Sequence, residues 1–86
     1  MNDELFLNEQ IKVSAVFGSS CRTLRFKRNN GREIEITEIG LRHSSTKGKR
    51  MIHIFDVTDG MADYRLEFDA ERLIWHLTRE ADHVDV

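Results

Sequence analysis

"RFKRNNGREIEI" (residues 25–36) decides how the rest of the chain is read. Its first half is basic and its second alternates Glu with Ile. It is therefore either an arm for a phosphate backbone or the two legs of a hairpin. Register separates the two. A two-residue Asn30-Gly31 loop sets Phe26 against Glu35 and Lys27 against Ile34. Directly opposed residues share a face, so that pairing puts charge on the apolar side. A three-residue loop, Asn29 to Gly31, pairs Phe26 with Ile34 and Leu24 with Ile36. On the other face Lys27 then meets Glu33 and Arg25 meets Glu35. Such a loop is a type I turn closed by a left-handed residue, which suits Gly31. The stretch is predicted to be a charge-matched hairpin. Each exposed pair contributes roughly 0.2–1 kcal/mol, and together they favour this register over its neighbours.

The same period of two runs outward in both directions. "IKVSAVF" (11–17) places Ile11, Val13, Ala15 and Phe17 on one face, and "DYRLEFD" (63–69) sets Tyr64, Leu66 and Phe68 against polar neighbours. These are half-buried antiparallel strands. Ile34 and Ile36 have one parity, Ile39 and Leu41 the other. A bulge near Thr37-Glu38 returns all four to the core, and Gly40 fits the accompanying bend. "RMIHIFDVTDGMADYRLEF" (50–68) reads as a second hairpin around Asp59-Gly60. With a two- or four-residue loop, Phe55 opposes Tyr64, His53 opposes Leu66 and Met51 opposes Phe68. Asp56 then faces Asp63, a like-charge pair that needs a nearby cation or a frayed end. Ile52 and Ile54 fall on the outer face beside Glu67 and Arg65. They need cover from the N-terminal segment, the C-terminal tail or another chain.

"FDAERLIWHLTREADHV" (68–84) supports two readings. As a strand after a four-residue turn it pairs Phe68 with Leu73, Leu66 with Trp75 and Tyr64 with Leu77. As a helix it has Asp69 as N-cap and a stripe of Ala70, Leu73, Ile74, Leu77 and Ala81. Three matched apolar pairs favour a strand through about Thr78. The expected fold is all-β: a single antiparallel meander of about six strands curled into a small barrel or roll. Residues 1–86 form one domain, with an N-terminal segment (1–9), the meander (10–78) and a C-terminal tail (79–86). The expected core is Val13, Leu24, Phe26, Ile34, Ile36, Ile39, Leu41, Phe55, Tyr64, Leu66, Phe68, Trp75 and Leu77.

The order of Phe26, Gly31-Arg32, the Ile34 to Leu41 strand, Asp59-Gly60, Tyr64 to Asp69, and Trp75 with Leu77 resembles small bacterial domains of unknown function. The resemblance covers most of residues 11–78. It lacks the proline and tryptophan that such domains often carry around the first hairpin. It implies a strand at Trp75 and no activity.

Composition narrows the functional classes. The chain has 86 residues, 40% of them hydrophobic and 33% charged, with no proline. A domain this small buries only roughly 60% of its unfolded surface, which leaves little room for a deep cofactor pocket. No apolar run spans a bilayer and the N-terminus lacks a signal-peptide pattern. The lone Cys21 fits a reducing compartment, so a cytoplasmic location and no membrane are expected. Ten Lys or Arg against three Glu give residues 11–50 a charge of +7, whereas three Arg against nine acids give residues 51–86 a charge of −6. Either a basic face exists or basic and acidic strands lie side by side.

Chemical motifs are sparse. His43, His53, His76 and His83 show no close ligand pair, so no metal site is expected. "GSSCRT" (18–23) holds nucleophiles without an elbow, and "STKGKR" (45–50) lacks the spacing of a phosphate loop. No catalytic residue and no cofactor are therefore assigned. The expected role is a non-catalytic module that pairs with itself or another protein, through a sheet edge or through the Ile52 and Ile54 face. The alternative is nucleic-acid binding by a rim of Arg22, Arg28, Arg32, Arg42, Lys47, Lys49 and Arg50. Single-strand binding also wants exposed aromatics, and Phe26, Phe55, Tyr64, Phe68 and Trp75 all fall on the buried parity.

Overall fold

Period-two alternation becomes seven strands in a computed structural model, which describes residues 4–17 and 22–83. They are β1 (Glu4–Phe17), β2 (Arg22–Lys27), β3 (Glu33–Ile36), β4 (Glu38–Lys47), β5 (Arg50–Thr58), β6 (Ala62–Asp69) and β7 (Ile74–Asp82). They form one antiparallel sheet in the order β3-β2-β1-β7-β6-β5-β4, nearly closed into a barrel. The expected all-β meander is therefore observed. The count exceeds about six because Thr37 interrupts what reads as one strand. Before it the chain pairs with β2, and after it with β5. At the crossing, the Thr37 N–H and hydroxyl both donate to the Thr58 carbonyl, at 2.9 and 3.2 Å.

The first hairpin forms in the register that its charges favour: Leu24 with Ile36, Arg25 with Glu35, Phe26 with Ile34, and Lys27 with Glu33. The Arg28 N–H donates to the Arg32 carbonyl at 2.8 Å and closes a three-residue loop. Gly31 sits at φ +89°, in the region a side chain disfavours.

The second hairpin keeps its faces but slips by two residues from expectation. Phe55 pairs with Leu66, His53 with Phe68 and Val57 with Tyr64. Asp56 consequently meets Arg65 rather than Asp63, with an Nε–Oδ1 distance of 2.8 Å. The slip thus replaces a like-charge pair by an ion pair. A turn centred one residue later in the chain permits it: Asp59 Oδ1 accepts from the N–H groups of Met61 and Ala62, both at 2.8 Å. Gly60 supplies φ +93°.

The turn into β7 shows the same displacement. Phe68 pairs with Trp75 and Leu66 with Leu77, not with Leu73 and Trp75. The N-cap suggested by Asp69 is present, but for a single turn. Its Oδ1 accepts from the Glu71 and Arg72 N–H groups at 3.0 and 3.1 Å, and the Leu73 N–H donates to its carbonyl. Leu73 has φ +59° and is 73% exposed, so it belongs to the turn and not to a core pair. The chain then runs as strand to Asp82, which excludes the helical alternative.

β1 closes the sheet. Its first part pairs with β7, from Glu4 opposite Ala81 to Ile11 opposite Trp75, and its second part pairs with β2. Residues 4–6 and 79–81, read as parts of an end segment and a tail, are therefore ladder partners. Phe26, Ile34, Tyr64, Leu66 and Leu77 are buried as expected, joined by Ile11 and Val57. Val13, Ile36, Phe55 and Trp75 pack against them half-buried. Ile39 is 38% exposed, outside the core that the parity argument assigned it to. The Leu41 side chain lies outside the described set.

Candidate interaction site

β4, the longer of the two terminal strands of the sheet (β3 is the other), has one edge without a ladder partner. An edge strand carries a row of N–H and C=O groups aimed away from the sheet, about half of its backbone polar groups. Along this edge Arg42, His43, Ser44, Ser45 and Thr46 are all exposed. No proline interrupts it.

Gly40 changes what β4 presents. Ile39 pairs with Val57 and Leu41 with Asp56, so Gly40 is the extra residue of a bulge. The bulge lies two residues beyond the position expected at Thr37-Glu38. One inserted residue exchanges the two faces of everything that follows. Arg42 thereby pairs with Phe55, an inward residue, instead of standing outside opposite Ile54.

Arg42 helps line a cavity of about 310 Å³ between the two ends of the sheet. Val13, Leu24 and Ile36 contribute from one side and Phe55, Leu66 and Trp75 from the other. Leu66 is buried at the floor, whereas Ile39, Arg42 and Ser14 are exposed at the rim. Trp75 lies against Phe68 and Phe55, with ring centroids 4.8 and 5.4 Å apart. Among the described residues Arg42 has no hydrogen-bond or ion-pair partner.

Two members of the expected basic rim, Arg28 and Arg50, are held by carboxylates. Arg28 turns back over the barrel end, where its guanidinium meets Glu9 at 2.8 Å and Glu80 at 3.2 Å. All three side chains are largely shielded from solvent. The hydrogen bonds from Arg28 hold the Glu9 carboxyl below its ordinary value, assisted by the Asn29 N–H. Beneath this cluster Phe26 and Tyr64 meet edge to face at 5.1 Å, and burial pushes the Tyr64 phenol up. Arg50 pairs with Asp69 at 3.3 Å. Arg32, Arg42 and Lys49 are exposed, while the side chains of Arg22 and Lys47 lie outside the described set.

Ile52 and Ile54 do stand on the outer parity, opposite Asp69 and Glu67. They are only 6% and 8% exposed, so within this one chain they already have the cover that their outer position requires. Ile52 lies in an outer groove with Phe6, Arg50, Glu67 and His76, which brings the N-terminal part of β1 to its side.

Among the described residues no group of three or more His, Cys, Asp or Glu is placed to hold a metal ion, and no helix is long and apolar enough to cross a membrane. Comparison with protein-family models, curated proteins and solved structures finds no match to this chain. The resemblance drawn from its motifs therefore assigns no family.

Proposed function

We propose that this domain is a non-catalytic interaction module, without a cofactor, that pairs through the free edge of β4, most simply with the same edge of a second copy. The terminal position of β4 is the observation that carries this reading. An exposed edge of that length is a template for strand addition, in which backbone hydrogen bonds supply affinity. Two identical antiparallel edges meet about a twofold axis and close the assembly. The Ile52 and Ile54 face carries less of the argument, because both side chains are already shielded. A phosphate-binding rim carries less still, since carboxylates hold Arg28 and Arg50. The lone Cys21 supports placing the module in the cytoplasm.

Size exclusion with light scattering over a concentration series, with hydrogen exchange on the same samples, tests the proposal. The expected result is a dimer whose β4 amides gain protection with concentration. His43→Lys with Ser45→Lys should return it to monomer without changing its circular dichroism, because edge lysines oppose pairing. A monomer at every concentration, with β4 exchange unaltered, would overturn the proposal.

A further inference from the structure

The cavity behind β4 has a composition that strand pairing does not require. Its walls are apolar side chains from six strands, and its rim holds one cation with no carboxylate partner among the described residues. Arg42 occupies that rim because of the Gly40 bulge. A ladder without the bulge would seat Leu41 opposite Phe55 and leave Arg42 on the outer face. Bulges recur where a sheet re-aims a side chain beside a functional site. A volume of about 310 Å³ lies at the small end of natural ligand pockets.

From this juxtaposition we infer that the open end of the barrel binds a small amphiphilic monocarboxylate, its hydrocarbon body inside against Leu66 and Trp75 and its carboxylate at the rim on Arg42. Guanidinium matches carboxylate through two parallel N–H donors, so the rim selects an anion with that geometry. The hydrocarbon supplies the affinity: each methylene buried tightens binding roughly fourfold. The binding site does not depend on dimerisation, since its described lining comes from one chain.

Trp75 is the sole tryptophan, so its fluorescence reports occupancy directly. The wild-type protein is titrated with hexanoate, octanoate, decanoate and decanol, all below micelle formation. Affinity should rise roughly fourfold per methylene until the cavity is filled. Decanoate should bind at least about tenfold more tightly than decanol, the size of one charge-assisted contact. Arg42→Gln should abolish that preference while leaving decanol unchanged, and Arg42→Lys should retain part of it. Leu66 and Phe55 resonances should shift on binding, which separates occupancy of the interior from adsorption to the surface. Equal affinity for decanoate and decanol, or no saturable change in Trp75, overturns the inference. Neither result bears on the mass measurement that tests edge pairing.

Discussion

The two hairpins are built from the same alternation, yet only one has the register its sequence suggests. In β2–β3, opposite charges alternate on the outer face, and a slip by one residue drives Lys27 against Ile34. In β5–β6, a slip by two residues keeps every apolar side chain on its proper face, so alternation alone does not reject it. The charges distinguish the two: Asp56 faces Asp63 in the expected register and Arg65 in the observed one. Parity thus depends on burial, while the choice between registers of equal parity falls to charge pairs and to the turn.

The largest expected effect tests where that shared core is anchored. Phe26 is fully buried beneath the first hairpin, whereas Phe55 borders the cavity and is half-buried. Phe26→Ala should destabilise by about 3–5 kcal/mol, a large part of a small domain's stability. Phe55→Ala should cost less, because the cavity already exists beside it. Urea melts that rank the two the other way would move the anchor from the first hairpin to the second.

A smaller effect concerns the cluster that ties the first loop to both chain ends. Arg28→Ala leaves Glu9 and Glu80 facing one another and should cost about 1–3 kcal/mol. Because the folded Glu9 carboxyl titrates below its ordinary value of 4.5, its contribution is complete above that pH. It is lost as pH falls through the lower folded value. Glu9→Gln should therefore flatten the acid limb of stability, measured from urea midpoints between about pH 6 and 3. An acid limb as steep in the variant as in the parent would place the dependence on other carboxyls.

The smallest effect addresses the second hairpin directly. A double-mutant cycle on Asp56 and Arg65 should give a coupling of about 0.2–1 kcal/mol, as expected of a partly exposed pair. Exchanging the two residues should restore most of the loss from either single change. A coupling of zero would transfer the choice of register from this ion pair to the Asp59 turn.

Several structural features were hidden from the sequence for reasons of distance. Arg28 reads as a free loop cation because Glu9 and Glu80 stand 19 and 52 residues away from it. Only the pairing of β1 with β7 brings all three to one end. Arg42 reads as an outer residue because nothing local reveals that Gly40, rather than Thr37 or Glu38, is the unpaired residue. Ile52 and Ile54 show that they need cover but not which segment supplies it, because the strand that reaches Ile52 begins at Glu4, in a stretch whose alternation is weak.

Alternation along the chain was enough to determine that these residues form antiparallel strands, which side chains in most of them face inward, and how the first loop turns. Those properties depend on neighbours one or two positions away, or on partners across a three-residue loop. The tertiary structure decided the junction of the first strand with the last, the register of the later hairpins and the bulge that turns Arg42 inward. Each is settled by contacts between distant segments, where alternatives of equal local quality differ only in which charges and cavities they bring together.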